Sequence, residues 1–201
     1  ARAAERNGVD FNYLMGQAQL ESGMRPDAKA STSSATGLYQ FLEQTWFGLV
    51  KDKGDEYGLG WAKDSISQNG KGRFVVADSA QKSHILALRN DPQIAASLAG
   101  EFARDNSSYL QQRIGREPES VDLYLAHFLG PAGSAKFLSR MDASPHAPAA
   151  PAFGAAAAAN PLIFYDKAGS PRSYQDIRTG FARKLDNAAM QAASGNFLPV
   201  N

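Results

Sequence analysis

Apolar positions recur every three or four residues through most of this chain, and strict alternation over several residues appears nowhere. That period predicts helices and almost no strand. The first predicted helix is capped by Asp10 and carries Phe11, Leu14, Met15, Ala18 and Ser22 along one side. Gly23 and Pro26 end it. A small polar run, Asp27 to Thr36 (DAKASTSSAT), comes next. It reads either as a flexible linker or as a loop whose hydroxyls bind polar groups. The second predicted helix opens on Gly37-Leu38-Tyr39-Gln40 and buries Leu38, Phe41, Leu42, Trp46 and Leu49. Gln40 and Glu43, three apart, share an exposed edge of it.

Lys51 to Arg73 is Gly-rich and polar and reads as a long surface loop. Within it Trp61 either pins the loop or offers a ring face to a ligand. Helical spacing resumes from Val75 to Arg89. Asn90-Asp91-Pro92 is a helix start, a cap residue directly before a first-turn proline. The helix it opens runs through Ile94, Leu98 and Phe102 to Ile114, where Gly115 closes it. Another starts around Glu117-Pro118 and Ser120, bears Val121, Tyr124, Leu125 and Phe128, and breaks at Gly130-Pro131. Gly133 to Met141 forms a short helix after the break. Asp142 to Asn160 is an Ala/Pro mixture that reads as a linker or a thinly packed segment. Tyr174, Ile177, Phe181 and Leu185 then mark a last amphipathic helix that docks on the main body, with fraying expected from Asn187 onward. The chain is thereby divided into a domain at 1–141, a connector at 142–160 and an extension at 161–201.

Composition narrows the function classes. A chain of 201 residues is long enough for one well-cored domain with an appendage. Its 21 basic and 20 acidic residues give a net charge of +1, and the basic residues are scattered. No basic face for nucleic acid emerges. The absence of cysteine excludes disulfides and thiolate metal sites. His84, His127 and His146 lie far apart and form no ligand pair, so neither metal nor cofactor is expected. No apolar run approaches the ~20 residues of a membrane span. Ala1 in place of an initiator Met reads as a processed or trimmed start.

One carboxylate has the placement of a reactive group. At about 100° per residue, Glu21 lies roughly 80° from the centre of the first helix's apolar stripe, neither in the core nor squarely in solvent. It falls in the last helical turn, where the partial negative charge of the helix end disfavours an ionised carboxylate. A helix-end glutamate can also be merely solvated. The polar loop that follows argues for a substrate groove beside it.

Glu21-Ser22-Gly23-Met24-Arg25-Pro26-Asp27-Ala28, followed by Gly37-Leu38-Tyr39-Gln40, resembles the lytic transglycosylase SLT domain. That family carries a Glu-Ser pair, a Pro-x-Ala step, a Ser/Gly loop and a Gly-Leu-Met-Gln motif at nearly this spacing. Its Ala-Tyr-Asn-x-Gly motif falls on Ala126-His127-Phe128-Leu129-Gly130. Three departures stand out. The loop between Glu21 and Gln40 is one residue longer, Tyr39 replaces the methionine, and His127-Phe128 replaces Tyr-Asn. The Ala-His-Phe-Leu-Gly variant is similar to that of phage-type and alphaproteobacterial members.

The resemblance implies a mostly α, lysozyme-like helical domain with a substrate cleft and little or no β-sheet, its catalytic part being residues 1–141. It further implies cleavage of the MurNAc–GlcNAc β-1,4 bond of peptidoglycan to 1,6-anhydromuramoyl products. Glu21 serves as the single general acid and base. Ser31, Tyr39, Gln40, Tyr124, His127 and Phe128 are the implied substrate contacts, His127 with the alternative of a hydrogen-bonded core histidine. An ordinary glycosidase pairs two carboxylates. Glu43 is the candidate second one, and its use would make the chain a hydrolytic muramidase. A catalytically idle peptidoglycan-binding or assembly module is the third reading. The implied location is the periplasm or cell envelope, or a phage. The last helix and the Ala/Pro stretch either dock an unidentified partner in an envelope machine or complete the core.

Overall fold

A computed structural model describes residues 2–31 and 33–195 of the chain. Ala1, read as a trimmed start, and residues 196–201 lie outside the described residues, whereas the last helix, expected to fray from Asn187, continues to Ala193 with Ala188 and Ala192 buried. The mostly α expectation is met. Helices α1 (Arg2–Asn7), α2 (Phe11–Ser22), α3 (Glu43–Lys53) and α4 (Gly60–Ser65) precede a small hairpin, β1 (Ile66–Gln68) and β2 (Phe74–Val76). After it come α5 (Ser79–Ala87), α6 (Pro92–Ile114), α7 (Ser120–Ala143), α8 (Gly154–Ala159), α9 (Pro161–Phe164) and α10 (Tyr174–Ala193). The chain forms two compact units, one holding the described residues up to Arg104 and from Ala188 on, the other Asp105–Asn187.

In the first unit α2 begins and ends as its residues dictate. The Asp10 side chain accepts from the Asn12 amide at 2.8 Å, satisfying one of the orphan donors of the first turn. At the other end Gly23 is left-handed (φ 60°), with Gly23 N bonded to Gln19 O and Met24 N to Ala18 O. The Gly23 bond is the 5→1 closure of an αL cap. Phe11, expected on the buried side, is 44% exposed. It is the first helical residue and lies beyond the part of α2 that is packed. The helix buries Tyr13, Leu14 and Ala18, but also Gln17 and Gln19. The core beside it gathers Phe41, Trp46, Phe47, Ile85 and Leu98. The Trp46 indole N–H donates to the Ile85 carbonyl at 2.8 Å, so the ring is a fully buried core group.

The loop expected over Lys51 to Arg73 is instead structured. A 3-10 turn at Gly54–Tyr57, α4 and the antiparallel hairpin occupy most of it. Three-residue strands are too short to show alternation, and Asn69 makes the turn by accepting from the amides of Lys71 and Arg73, both at 3.0 Å. Val75 and Val76 belong to β2, so the helix expected from Val75 begins at Ser79. Trp61 stacks on His84 with ring centroids 4.7 Å apart while staying partly exposed.

The second unit is organised by α7, whose helical course is interrupted at Gly130 (φ 73°, ψ 161°) just before Pro131. The predicted break is there, because proline cannot supply the amide and only glycine takes this backbone easily. The Ala/Pro stretch is stitched down. Ala149 N donates to Arg172 O at 3.1 Å, Tyr174 N to Ala147 O at 3.2 Å, and Phe137, Phe153, Phe164 and Tyr174 form a ring cluster. Tyr174, Ile177, Phe181 and Leu185 of α10 are buried, as their spacing predicts. Within this unit α10 packs on α7 through Phe181, which meets Tyr124 at 5.4 Å and Phe128 at 5.2 Å.

Asp122, fully buried in α7, is the electrostatic centre of this unit. Its carboxylate accepts from Arg178 Nε and Arg116 Nη1, each at 2.8 Å, and from the Glu119 amide at 3.1 Å. Arg178 Nη2 lies 2.9 Å from Glu119 Oε1, an ion pair without hydrogen-bond geometry. Burial alone pushes the Asp122 carboxyl up, but the bonds from Arg178 and Arg116 outweigh it and hold the group below the usual carboxylate range. A carboxyl depressed on folding contributes stability that is present above its unfolded value, about 4, and is lost as pH falls through its lower folded value. The melting temperature is therefore expected to drop as pH falls below about 4. Asp122→Asn should lower stability at neutral pH and flatten that acid limb. Thermal melts of both proteins from neutral to strongly acid pH would check this, and parallel acid limbs would refute it.

Candidate active site

The site builds outward from Glu21, which is half-buried in the last turn of α2. Its neighbour Ser22 is buried and donates its hydroxyl back to the Ala18 carbonyl at 2.9 Å. The Ser22 carbonyl in turn receives Arg25 Nε at 3.2 Å. Together with the left-handed Gly23 and Met24 (φ 62°), these bonds fix the direction in which the chain leaves the helix. Ser22 thus acts as a brace beneath the glutamate.

Two buried phenols lie near one another, and one of them, Tyr13, is in the field of Glu21. Burial first, then the charge of Glu21, then Tyr39, drive the Tyr13 hydroxyl far above its ordinary range. Burial pushes Tyr39 up to about 12. Both hydroxyls therefore stay protonated at any pH the protein meets and add no second negative charge beside the carboxyl. Tyr13 escaped the reading of the sequence, although a signal was present. Tyr13, Gln17 and Glu21 are spaced by four along α2 and share one face, and both Tyr13 and Gln17 are buried.

The segment after the polar loop differs from expectation. Residues 37–40 form a turn, not the first turn of a helix, and α3 starts at Glu43. Gly37 (φ 83°) and Gln40 (φ 47°) are left-handed, which a helix does not allow. Gln40 and Glu43 consequently share no helix edge. Leu42, expected in the core, caps α3 and is exposed. The Gln40 amide donates to the carbonyls of Gly37 at 2.8 Å and Ala28 at 3.1 Å. That uses both its N–H donors on the loop and leaves its carbonyl oxygen as the group to offer. Single bridges pair Thr36 with Lys29 and with Phe41, so the polar loop is pinned at its base. Ser31 lies exposed at its tip. Tyr39 is only 4% exposed, packed near Phe41 at a centroid distance of 6.3 Å.

Arg89 holds this turn in place and was also missed. Its Nη1 donates to the carbonyls of Ser34 at 2.6 Å and Phe41 at 2.9 Å, and its Nε to Leu86 O at 3.0 Å. A Cβ on Gly37 would stand 2.1 Å from the Arg89 carbonyl oxygen, so this position needs glycine for space as well as for φ. Desolvation lowers the Arg89 pKa, only partly offset by the charge of Glu43. Glu43 itself is bound by Lys82 at 2.9 Å, and its backbone amide donates to the Ser34 hydroxyl oxygen at 3.2 Å.

The remaining predicted contacts belong to the second unit. Tyr124 and His127 stack at 6.0 Å with a 22° interplanar angle, and Phe128 packs on Phe181 beside them. All three are half-buried on α7, just before its break. The seven predicted residues thus fall into two local groups. Glu21, Ser31, Tyr39 and Gln40 lie in the first unit, and Tyr124, His127 and Phe128 in the second.

Residues 1–62 match the family model of the transglycosylase SLT domain. The match covers Glu21, the polar loop and the turn ending at Gln40, and it bears out the resemblance drawn from those motifs. SLT domains are lysozyme-like and cleave glycosidic bonds in peptidoglycan, and the mostly α architecture accords with that fold. The matched segment ends ahead of Tyr124, His127 and Phe128. Among the described residues no helix is long and apolar enough to cross a membrane.

Proposed function

We propose that the chain is a peptidoglycan lytic transglycosylase that breaks the MurNAc–GlcNAc β-1,4 bond with Glu21 as its only acid and base. The observation that carries this reading is the setting of Glu21, half-buried at a braced helix end within the field of the permanently neutral Tyr13. The Glu21 carboxyl gives its proton to the glycosidic oxygen, and the GlcNAc leaves with that oxygen as a hydroxyl. The substrate's own N-acetyl group stabilises the cationic C1 of MurNAc. The Glu21 carboxylate then takes the proton of the C6 hydroxyl, whose oxygen closes on C1. The product is a 1,6-anhydromuramoyl end, no water is consumed, and Glu21 is again protonated.

Gln40 Oε1, the Ser31 hydroxyl and Tyr39 serve the sugar on the side of Glu21. Tyr124, His127 and Phe128 supply a second set of ring contacts suited to pyranose faces. The state of Glu43 disfavours hydrolysis, which needs a second free carboxylate. Glu43, the candidate, is instead tied to Lys82 in an ion pair at 2.9 Å. The work is done where peptidoglycan lies, outside the cytoplasm. Digestion of purified sacculi, with the released muropeptides weighed, tests the reading. Anhydro ends, one water lighter, are expected. Reducing ends would replace it with a hydrolytic muramidase, and binding without cleavage with an idle module.

A further inference from the structure

Away from the residues assigned above, the second unit carries a groove of about 350 Å³ between α9 and α10. Its floor is apolar, made by Ile163, Ile177 and Phe181, and its rim is basic, made by Arg172, Arg183 and Lys184. Leu162 stands at its lip, 90% exposed, more than any other large apolar side chain among the described residues. Leu162 extends the apolar floor of the groove out to the surface.

The charges say what kind of occupant fits. Asp176 is the one acidic group lining the groove, and it is already spent. It accepts from the Ser173 hydroxyl at 2.7 Å, and bonds to Ser173 and the nearby Arg172 hold its pKa low. Arg172 also gives its Nε to Tyr165 O at 3.1 Å, so it is fixed in place as well as charged. Arg183 and Lys184 are exposed and form no ion pair among the described residues. The rim therefore holds two uncommitted cations over an apolar floor, which complements a short peptide bearing carboxylates. Its volume is within the range of sites for small ligands. Phe181 ties the groove to the substrate contacts, since the same ring floors the groove and packs on Tyr124 and Phe128.

We infer that this groove binds the peptide stem of peptidoglycan, with Arg183 and Lys184 taking its free carboxylates. The inference rests on the proposed function, because the stem is attached to the muramic acid of that substrate. The α10 groove thus makes the enzyme selective for strands that still carry peptides.

Two measurements on the full chain test it. Calorimetry with a synthetic stem tetrapeptide (L-Ala, γ-D-Glu, diaminopimelate, D-Ala) should show salt-sensitive binding. An Arg183→Glu/Lys184→Glu double variant of unchanged melting temperature should weaken that binding by about tenfold. In cleavage assays the variant should raise KM on intact glycan while leaving kcat, and all parameters on amidase-stripped strands, unchanged. Equal KM for wild type and variant on intact strands would overturn the inference and leave the proposed function standing. No cleavage of either substrate by the wild type would overturn the proposed function, and the calorimetry would then decide the groove alone. Equal binding of an unrelated acidic peptide would overturn the stem assignment in favour of an acidic protein partner.

Discussion

Glu21→Gln is expected to reduce cleavage of purified sacculi by at least ~10³-fold, the upper part of the range for losing a positioned acid and base. The amide matches the carboxyl in shape, so the left-handed glycine end of α2 and the Ser22 brace should survive. The melting temperature should change by no more than about 2 °C, in keeping with a half-exposed isosteric change. Binding to sacculi should persist, because the substitution removes only the proton that moves. In the proposed mechanism both steps use the same carboxyl, first as acid and then as base, so no second group can restore half of the cycle. Pull-down on sacculi, thermal melts and product mass analysis of the variant form one experiment. A variant that still releases anhydromuropeptides at near the wild-type rate would end the assignment of Glu21.

The largest effect on stability is expected at Arg89. Arg89→Ala removes the donors from three carbonyls, those of Ser34, Phe41 and Leu86, and opens space in the wall of the turn. Each carbonyl left dry costs about 1–3 kcal/mol, though those near the surface recover part of it from water. A loss of about 3–4 kcal/mol is expected, a fall of roughly 10 °C in melting temperature for a chain of this size. Arg89→Lys should recover less than half, since an ammonium reaching Ser34 and Phe41 has no second nitrogen placed as Nε is to bond Leu86. Activity should fall in both variants beyond what global unfolding explains, because the turn also positions Gln40. Hydrogen exchange read at residues 34–41 separates the two effects. Fast exchange there in a protein otherwise folded is the expected outcome, and unchanged protection would show that Arg89 does not hold the turn.

Much of the fold was legible because it is written in contacts within a turn or two. Asp10 before α2, Gly23 after it, Asp91-Pro92 before α6 and Gly130-Pro131 inside α7 are local devices, each acting on the backbone beside it. Glu21 was legible for the same reason. Its boundary position follows from 100° per residue and from where the helix must stop, and the structure indeed leaves it half-buried.

Other parts depended on partners far away in sequence. A helix from Gly37 was a sound expectation from apolar spacing. The turn that stands there instead is held by Arg89, 48 residues beyond Phe41, and such a contact leaves no local period. Glu43 looked like a free second carboxylate until Lys82, 39 residues on, was found to bind it. The hairpin within the supposed long loop was invisible because its strands are shorter than any alternation. By itself, then, the sequence determined the helical class, the ends of α2, the start of α6, the break in α7 and the boundary position of Glu21. Tertiary structure decided the neighbours, with Tyr13 buried in reach of Glu21, Glu43 paired with Lys82 and Gln40 turned onto the loop. Burial and pairing of charge are properties of three-dimensional neighbourhoods, and spacing along a chain does not encode them.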